Sequence, residues 1–120
     1  MKIYKTQWFA KWANKENIQD SALRTAVAEL EKGLFDADLG GHVYKKRIAI
    51  QGRGKSGGVR TIIAYRVADK AFFTYGFAKN KRANISRTEL HTLKVVAANL
   101  LAHDDDTLAH LVEVKELIEV

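Results

Sequence analysis

Three β-forming runs between residues 42 and 78 are joined by connections that leave room only for hairpins. Residues 42–51 carry Val43, Ile48 and Ile50. Residues 59–67 are rich in β-branched side chains, and 71–78 carry Phe72, Phe73, Tyr75 and Phe77. A glycine-rich stretch, 52–58, joins the first two, and Ala68-Asp69-Lys70 turns between the second and third. Parallel neighbours need a crossover of roughly a dozen residues or more. The three runs are therefore expected to form an antiparallel meander.

Helical patterns flank this centre. Ile3 and Tyr4 suit a short opening strand. Trp8, Phe9, Trp12 and Ala13 recur at helical spacing over 7–15. A second helix is expected over 17–32, with Ile18, Leu23, Val27, Leu30 and Leu34 on one stripe, Asn17 or Asp20 as its cap and Gly33 at its end. Residues 38–41 read as the turn that closes this helical third. Ser86 and Glu89 form an S-x-x-E capping box. It opens a helix with Leu90, Leu93, Ala97, Leu100 and Leu101 on its stripe. One of Asp104, Asp105 and Asp106 suits the cap of a last short turn, and 111–120 fit either a terminal strand or a frayed helix.

Charge is distributed very unevenly. Residues 39–88 hold twelve of the 20 Lys and Arg residues but one of the 14 Asp and Glu residues, Asp69. The net charge of +6 is thus a cationic β-rich middle between mildly acidic ends. A cationic sheet held by helices suits a polyanion, and RNA is the expected one. The 120 residues, 47% of them apolar, are enough for one core and a single domain over 1–120. There are no cysteines, which suits a reducing cytosol. No apolar run resembles a signal or a membrane span, so a cytoplasmic protein without membrane contact is expected.

Several motifs carry less than they suggest. Ala49-Ile50-Gln51-Gly52-Arg53-Gly54-Lys55-Ser56 satisfies a loose phosphate-loop pattern. Such a loop must run into a helix N-terminus, whereas Gly57-Gly58 and a β-rich run follow here. His42, His91, His103 and His110 lack close ligand spacing, so neither a metal nor a cofactor is expected. Alternation is more informative. It places Arg60, Ile62, Ala64 and Arg66 on one face of their strand, expected to be free of helices, and Thr61, Ile63, Tyr65 and Val67 on the core side. Lys45 and Arg47 share a face, and Lys46 shares the other with Ile48 and Ile50. Ala71, Phe73, Tyr75, Phe77 and Lys79 are expected on one face. Guanidinium forks beside aromatic rings can bind phosphates and stack bases.

Three segments carry a resemblance to a known family. They are Gly54-Lys55-Ser56-Gly57-Gly58-Val59-Arg60-Thr61-Ile62-Ile63-Ala64-Tyr65, then Phe72-Phe73-Thr74-Tyr75-Gly76-Phe77-Ala78-Lys79-Asn80, then Ala83-Asn84-Ile85 with Glu89-Leu90. Together they resemble the RelE/HigB-like toxins of bacterial toxin–antitoxin pairs. The resemblance covers nearly the whole chain. It implies an α+β fold in which N-terminal helices pack on a central antiparallel sheet with a C-terminal helix. It also implies a metal-independent endoribonuclease that cuts mRNA, commonly on the ribosome, and a cognate antitoxin, for example of helix-turn-helix type. In such toxins the ribose 2′-hydroxyl attacks the adjacent phosphate, so cations must stabilise the added charge.

By that resemblance Arg60 is the main phosphate stabiliser, Lys79 stabilises charge or moves a proton, and Lys55 completes the catalytic set. Lys45, Lys46, Arg47, Arg53, Arg66 and Tyr75 are the expected RNA contacts, with Tyr75 stacking a base. The chain departs from many RelE toxins in having no tyrosine after Tyr75, and Asn80 stands where some members have arginine. This leans toward the HigB-like branch, whose catalytic set varies. A gyrase-poisoning ParE-like toxin and a non-catalytic RNA-binding module are the alternatives.

Overall fold

The computed structural model describes residues 1–50 and 58–120. Its elements run β1 (Lys2–Thr6), α1 (Gln7–Lys15), α2 (Asp20–Glu31), β2 (Ala37–Gly40), β3 (Val43–Ile48), β4 (Val59–Arg66), β5 (Lys70–Ala78), α3 (Arg87–Ala102), α4 (Asp105–Glu113) and β6 (Leu117–Glu119). The strands form one sheet in the order β2-β3-β4-β5-β1-β6. The fold is α+β, and the expected meander is present from β3 to β5. No helix among the described residues is long and apolar enough to cross a membrane.

Local chemistry explains most boundaries. Thr6 caps α1 by accepting a hydrogen bond from the Phe9 amide. Helix α2 starts later than expected, because Asn17 sits at φ 59° and Gln19 takes the cap position. Gly33, at φ 81°, ends it: the Leu34 amide bonds the Glu29 carbonyl and the Gly33 amide bonds the Leu30 carbonyl. Leu34 therefore leaves the stripe and is exposed. Ser86 and Glu89 form the expected capping box at α3, and Asp104 caps α4. The final residues form both a helix end and a strand, since α4 stops at Glu113 and β6 pairs with β1.

Two strand pairings go beyond the sequence expectation. The segment read as a closing turn is strand β2, paired with β3. Strand β1 lies parallel to β5, with Tyr4 opposite Phe72. Such a pairing joins segments far apart in the chain and leaves no local pattern.

The sheet is covered on both faces. Phe9 and Ala13 of α1 and Leu23, Val27 and Leu30 of α2 pack against Ile48, Val59, Ile63, Tyr65 and Phe73. On the other face, Ala97, Leu101 and Leu108 of α3 and α4 pack against Tyr4, Val43, Ile62, Ala64, Phe72 and Leu117. The expectation of a helix-free face holding Arg60, Ile62, Ala64 and Arg66 is thereby corrected. Ile62 and Ala64 are apolar and meet the stripe of α3, so the middle of that face is core.

A bulge re-aims β5. Ile62 lies opposite Tyr75 while Ile63 lies opposite Phe73, which leaves Thr74 unopposed. The Thr74 hydroxyl donates to the Ile62 carbonyl at 3.0 Å. Phe73 consequently belongs to the α1/α2 core, whereas Tyr75 packs against the α3/α4 core. The expected common face of Ala71, Phe73, Tyr75 and Phe77 is split at this point.

Candidate functional site

Beside the start of α3 the sheet presents a cationic area. Pairing places Lys45 opposite Ile62, Arg47 opposite Arg60 and Arg60 opposite Phe77. Directly paired residues share a face, so Lys45, Arg47, Arg60 and Phe77 all lie on the α3 side. Arg47 is exposed and Lys45 half-buried.

The Arg60 side chain is only 12% exposed. It reaches past β3 to Asp36, at the entry to β2, with Nε 3.1 Å from Oδ2. Asp36 is itself anchored, its amide donating to the Lys45 carbonyl at 2.8 Å. The Nη1 of Arg60 is buried and has no hydrogen-bond partner among the described residues. An unpaired buried donor is costly, and a guanidinium with spare donors is suited to an oxyanion.

A second guanidinium stands nearby. Arg82 lies over the Phe77 ring, its Cζ 5.5 Å from the centroid. Its Nε and Nη2 donate to the Asn84 carbonyl at 3.1 and 2.9 Å. Its Nη1 donates to the Tyr75 hydroxyl at 3.3 Å and to Glu89 Oε2 at 3.0 Å, and Nη2 also donates to Glu89 Oε1. A guanidinium has five N–H donors, and all five are engaged here. Arg82 is thus a clasp between the end of β5 and the start of α3. The Tyr75 hydroxyl donates to Glu89 in turn, at 3.4 Å. Hydrogen bonds from Arg82 and from the Ser86 backbone pull the Glu89 carboxyl down to about 2, so it stays ionised and is a poor base near neutral pH.

The other sequence candidates separate. Lys46 faces α2, is buried, and pairs with Glu29 at 3.0 Å. The expectation that it joins Lys45 and Arg47 on an RNA surface is corrected, because alternation sends it to the opposite core. Arg66 lies at the far end of β4 and pairs with Asp69 at 3.5 Å. It is six positions along the strand from Arg60, about 20 Å, with Ile62 and Ala64 under α3 between them. Arg66 therefore does not join this area. Lys79 is exposed just past β5, two residues beyond Phe77. Arg53 and Lys55 lie outside the described residues.

Tyr75 is held beside this area, with Trp8 stacked on it at 4.5 Å between centroids. Sequence reasoning missed Asp36 and Arg82. The Ser86–Glu89 capping box was visible, but nothing in its spacing showed that the same carboxylate also holds Arg82. Among the described residues, no three His, Cys, Asp or Glu side chains gather as a metal-binding group.

Compared with known protein families, the chain matches over residues 1–120 the family model described as the RelE toxin of the RelE/RelB toxin–antitoxin system. No curated protein matches it.

Proposed function

The chain belongs to the RelE toxin family, and from that premise we propose that it stops translation by cutting mRNA on the ribosome. The toxin role and a cognate antitoxin follow from the family. The nuclease reading is carried by one observation: Arg60, ion-paired through Nε to Asp36, keeps a buried Nη1 without a partner among the described residues, beside Arg47 and Lys45 on one face.

In this reading a scissile phosphate binds against Arg60. The ribose 2′-hydroxyl attacks phosphorus, its O–P bond forms, and the bond from phosphorus to the 5′ oxygen breaks. Negative charge grows on the phosphoryl oxygens, and Arg60 donates to them in a site shielded from water, where such bonds are strongest. Lys79 and Lys55 supply further positive charge and serve proton transfer at the attacking and leaving oxygens. Lys45, Arg47 and Arg53 hold the flanking backbone, and Tyr75 contributes a ring for stacking. Arg82 and Glu89 keep Tyr75 and the start of α3 in place.

Primer extension on messages in a translation extract tests the reading. The purified protein is expected to produce new stops confined to ribosome-bound messages. Intact messages alongside inhibited DNA supercoiling would overturn it.

A further inference from the structure

We propose that Trp8 is the stacking platform for a base of the RNA strand whose phosphate Arg60 holds; this rests on the ribonuclease reading above. Trp8 is 47% exposed and continuous with the part-buried rings of Trp12 and Tyr75, and a contiguous apolar surface, unlike a single exposed side chain, marks an interaction site. Its neighbour one turn on, Trp12, has a packing role. Trp12 lies over Gly76, where an added Cβ would come within 2.2 Å of Cζ3, and it meets Phe9 at 5.4 Å. The exposed part of Trp8 has no such role.

The ring of Trp8 is nonetheless held in place. It stacks on Tyr75 with centroids 4.5 Å apart and planes 25° apart. Tyr75 is fixed in turn, its hydroxyl accepting from Arg82 and donating to Glu89. A platform ordered before binding loses little entropy when a ligand arrives.

The aromatic row leads to the cationic area. Tyr75 is 6.5 Å from Phe77, and Phe77 lies opposite Arg60. Trp8 is thus two ring contacts from Phe77, the cross-strand neighbour of Arg60, a reach suited to a base in the same strand. The cations beside it, Lys45, Arg47 and Arg60, favour a polyanion over an apolar protein segment. A flat indole accepts any base, so the ligand class is single-stranded RNA read by stacking and not by hydrogen bonds.

Steady-state cleavage of message in a translation extract tests this with Trp8→Leu, Trp8→Phe and Arg60→Ala. Leucine keeps apolar cover but removes the π face, and matched urea midpoints show that each variant is folded. Loss of one base stack predicts a KM raised about 5- to 150-fold in Trp8→Leu, with kcat largely kept. Trp8→Phe should stay within about threefold of wild type. A KM for Trp8→Leu equal to that of Trp8→Phe overturns the platform, and so does weakened antitoxin neutralisation with an unchanged KM. If Arg60→Ala abolishes cutting in that same experiment, the nuclease reading survives the loss of the platform. If Arg60→Ala cuts as wild type does, both fall.

Discussion

Glu89 caps the helix in which it lies and, through the same two carboxylate oxygens, holds Arg82. Oε1 accepts from the Ser86 amide and from Arg82 Nη2, and Oε2 accepts from Arg82 Nη1 and the Tyr75 hydroxyl. The helix start, the end of β5 and the wall of the candidate site therefore form one unit. The bonds that cap α3 and those that hold Tyr75 thus meet on one carboxylate.

This coupling has a pH signature. The Glu89 carboxyl is pulled from an ordinary 4.5 to about 2 by Arg82 and Ser86. Because the folded value is the lower one, its contribution is complete above about pH 4.5 and fades as pH falls toward 2. Glu89→Gln keeps a capping-box acceptor but not the charge. Urea midpoints from pH 2 to 7 should fall more steeply at the acid end for wild type than for Glu89→Gln. Parallel curves would mean that the clasp does not couple to folding.

Asp36 should act through Arg60. Removing it in Asp36→Ala frees a guanidinium that is otherwise aimed, and a misplacement of about 1 Å can cost roughly a hundredfold in rate. Cleavage in a translation extract should drop by about 10- to 100-fold. Asp36→Asn should fall between, since its amide oxygen keeps an acceptor facing Nε. Wild-type cutting by Asp36→Ala would show that the ion pair is incidental.

Gly76 has no room for a side chain. A Cβ there would meet Trp12 Cζ3 at 2.2 Å and Cη2 at 2.5 Å. Trp12 is wedged against Phe9 and Trp8, so it cannot simply swing away. Gly76→Ala should destabilise the fold by about 1–3 kcal/mol, read from urea unfolding. Adding Trp12→Leu should recover part of that loss. An unchanged midpoint in Gly76→Ala would contradict the packing.

The two faces of β3 should answer differently to salt. Lys45 and Arg47 lie on the Arg60 side, while Lys46 is buried against Glu29. For single-stranded RNA, each lost phosphate contact should flatten the slope of log affinity against log salt by about 0.7. Lys45→Ala and Arg47→Ala should each do so in filter binding, and Lys46→Ala should not. Equal slopes for all three would remove the distinction between the faces.

Local signals were legible in the sequence and long-range ones were not. The helix over 7–15, the three β-runs and the Ser86–Glu89 cap each depend on neighbours within a few residues, and each is present. The family was legible because its motifs are contiguous. The parallel pairing of β1 with β5 joins residues nearly seventy positions apart and leaves no periodic trace. The extra residue at Thr74 shifted Tyr75 to the other face, and simple alternation has no means of anticipating a bulge. Apolar Ile62 and Ala64, set between Arg60 and Arg66, were the available hint that a helix covers that face. Asp36 is invisible in the sequence as a partner of Arg60 because the contact spans two strands, one of which has the sequence of a turn.

The central claim is that Arg60 stabilises charge on a phosphate as RNA is cut. Single-turnover cleavage of ribosome-bound message by wild type and by a folded Arg60→Ala variant tests it most directly. The account predicts a loss of at least about a hundredfold in rate, as expected when a principal donor to an oxyanion is removed. Cleavage by Arg60→Ala at the wild-type rate would contradict it.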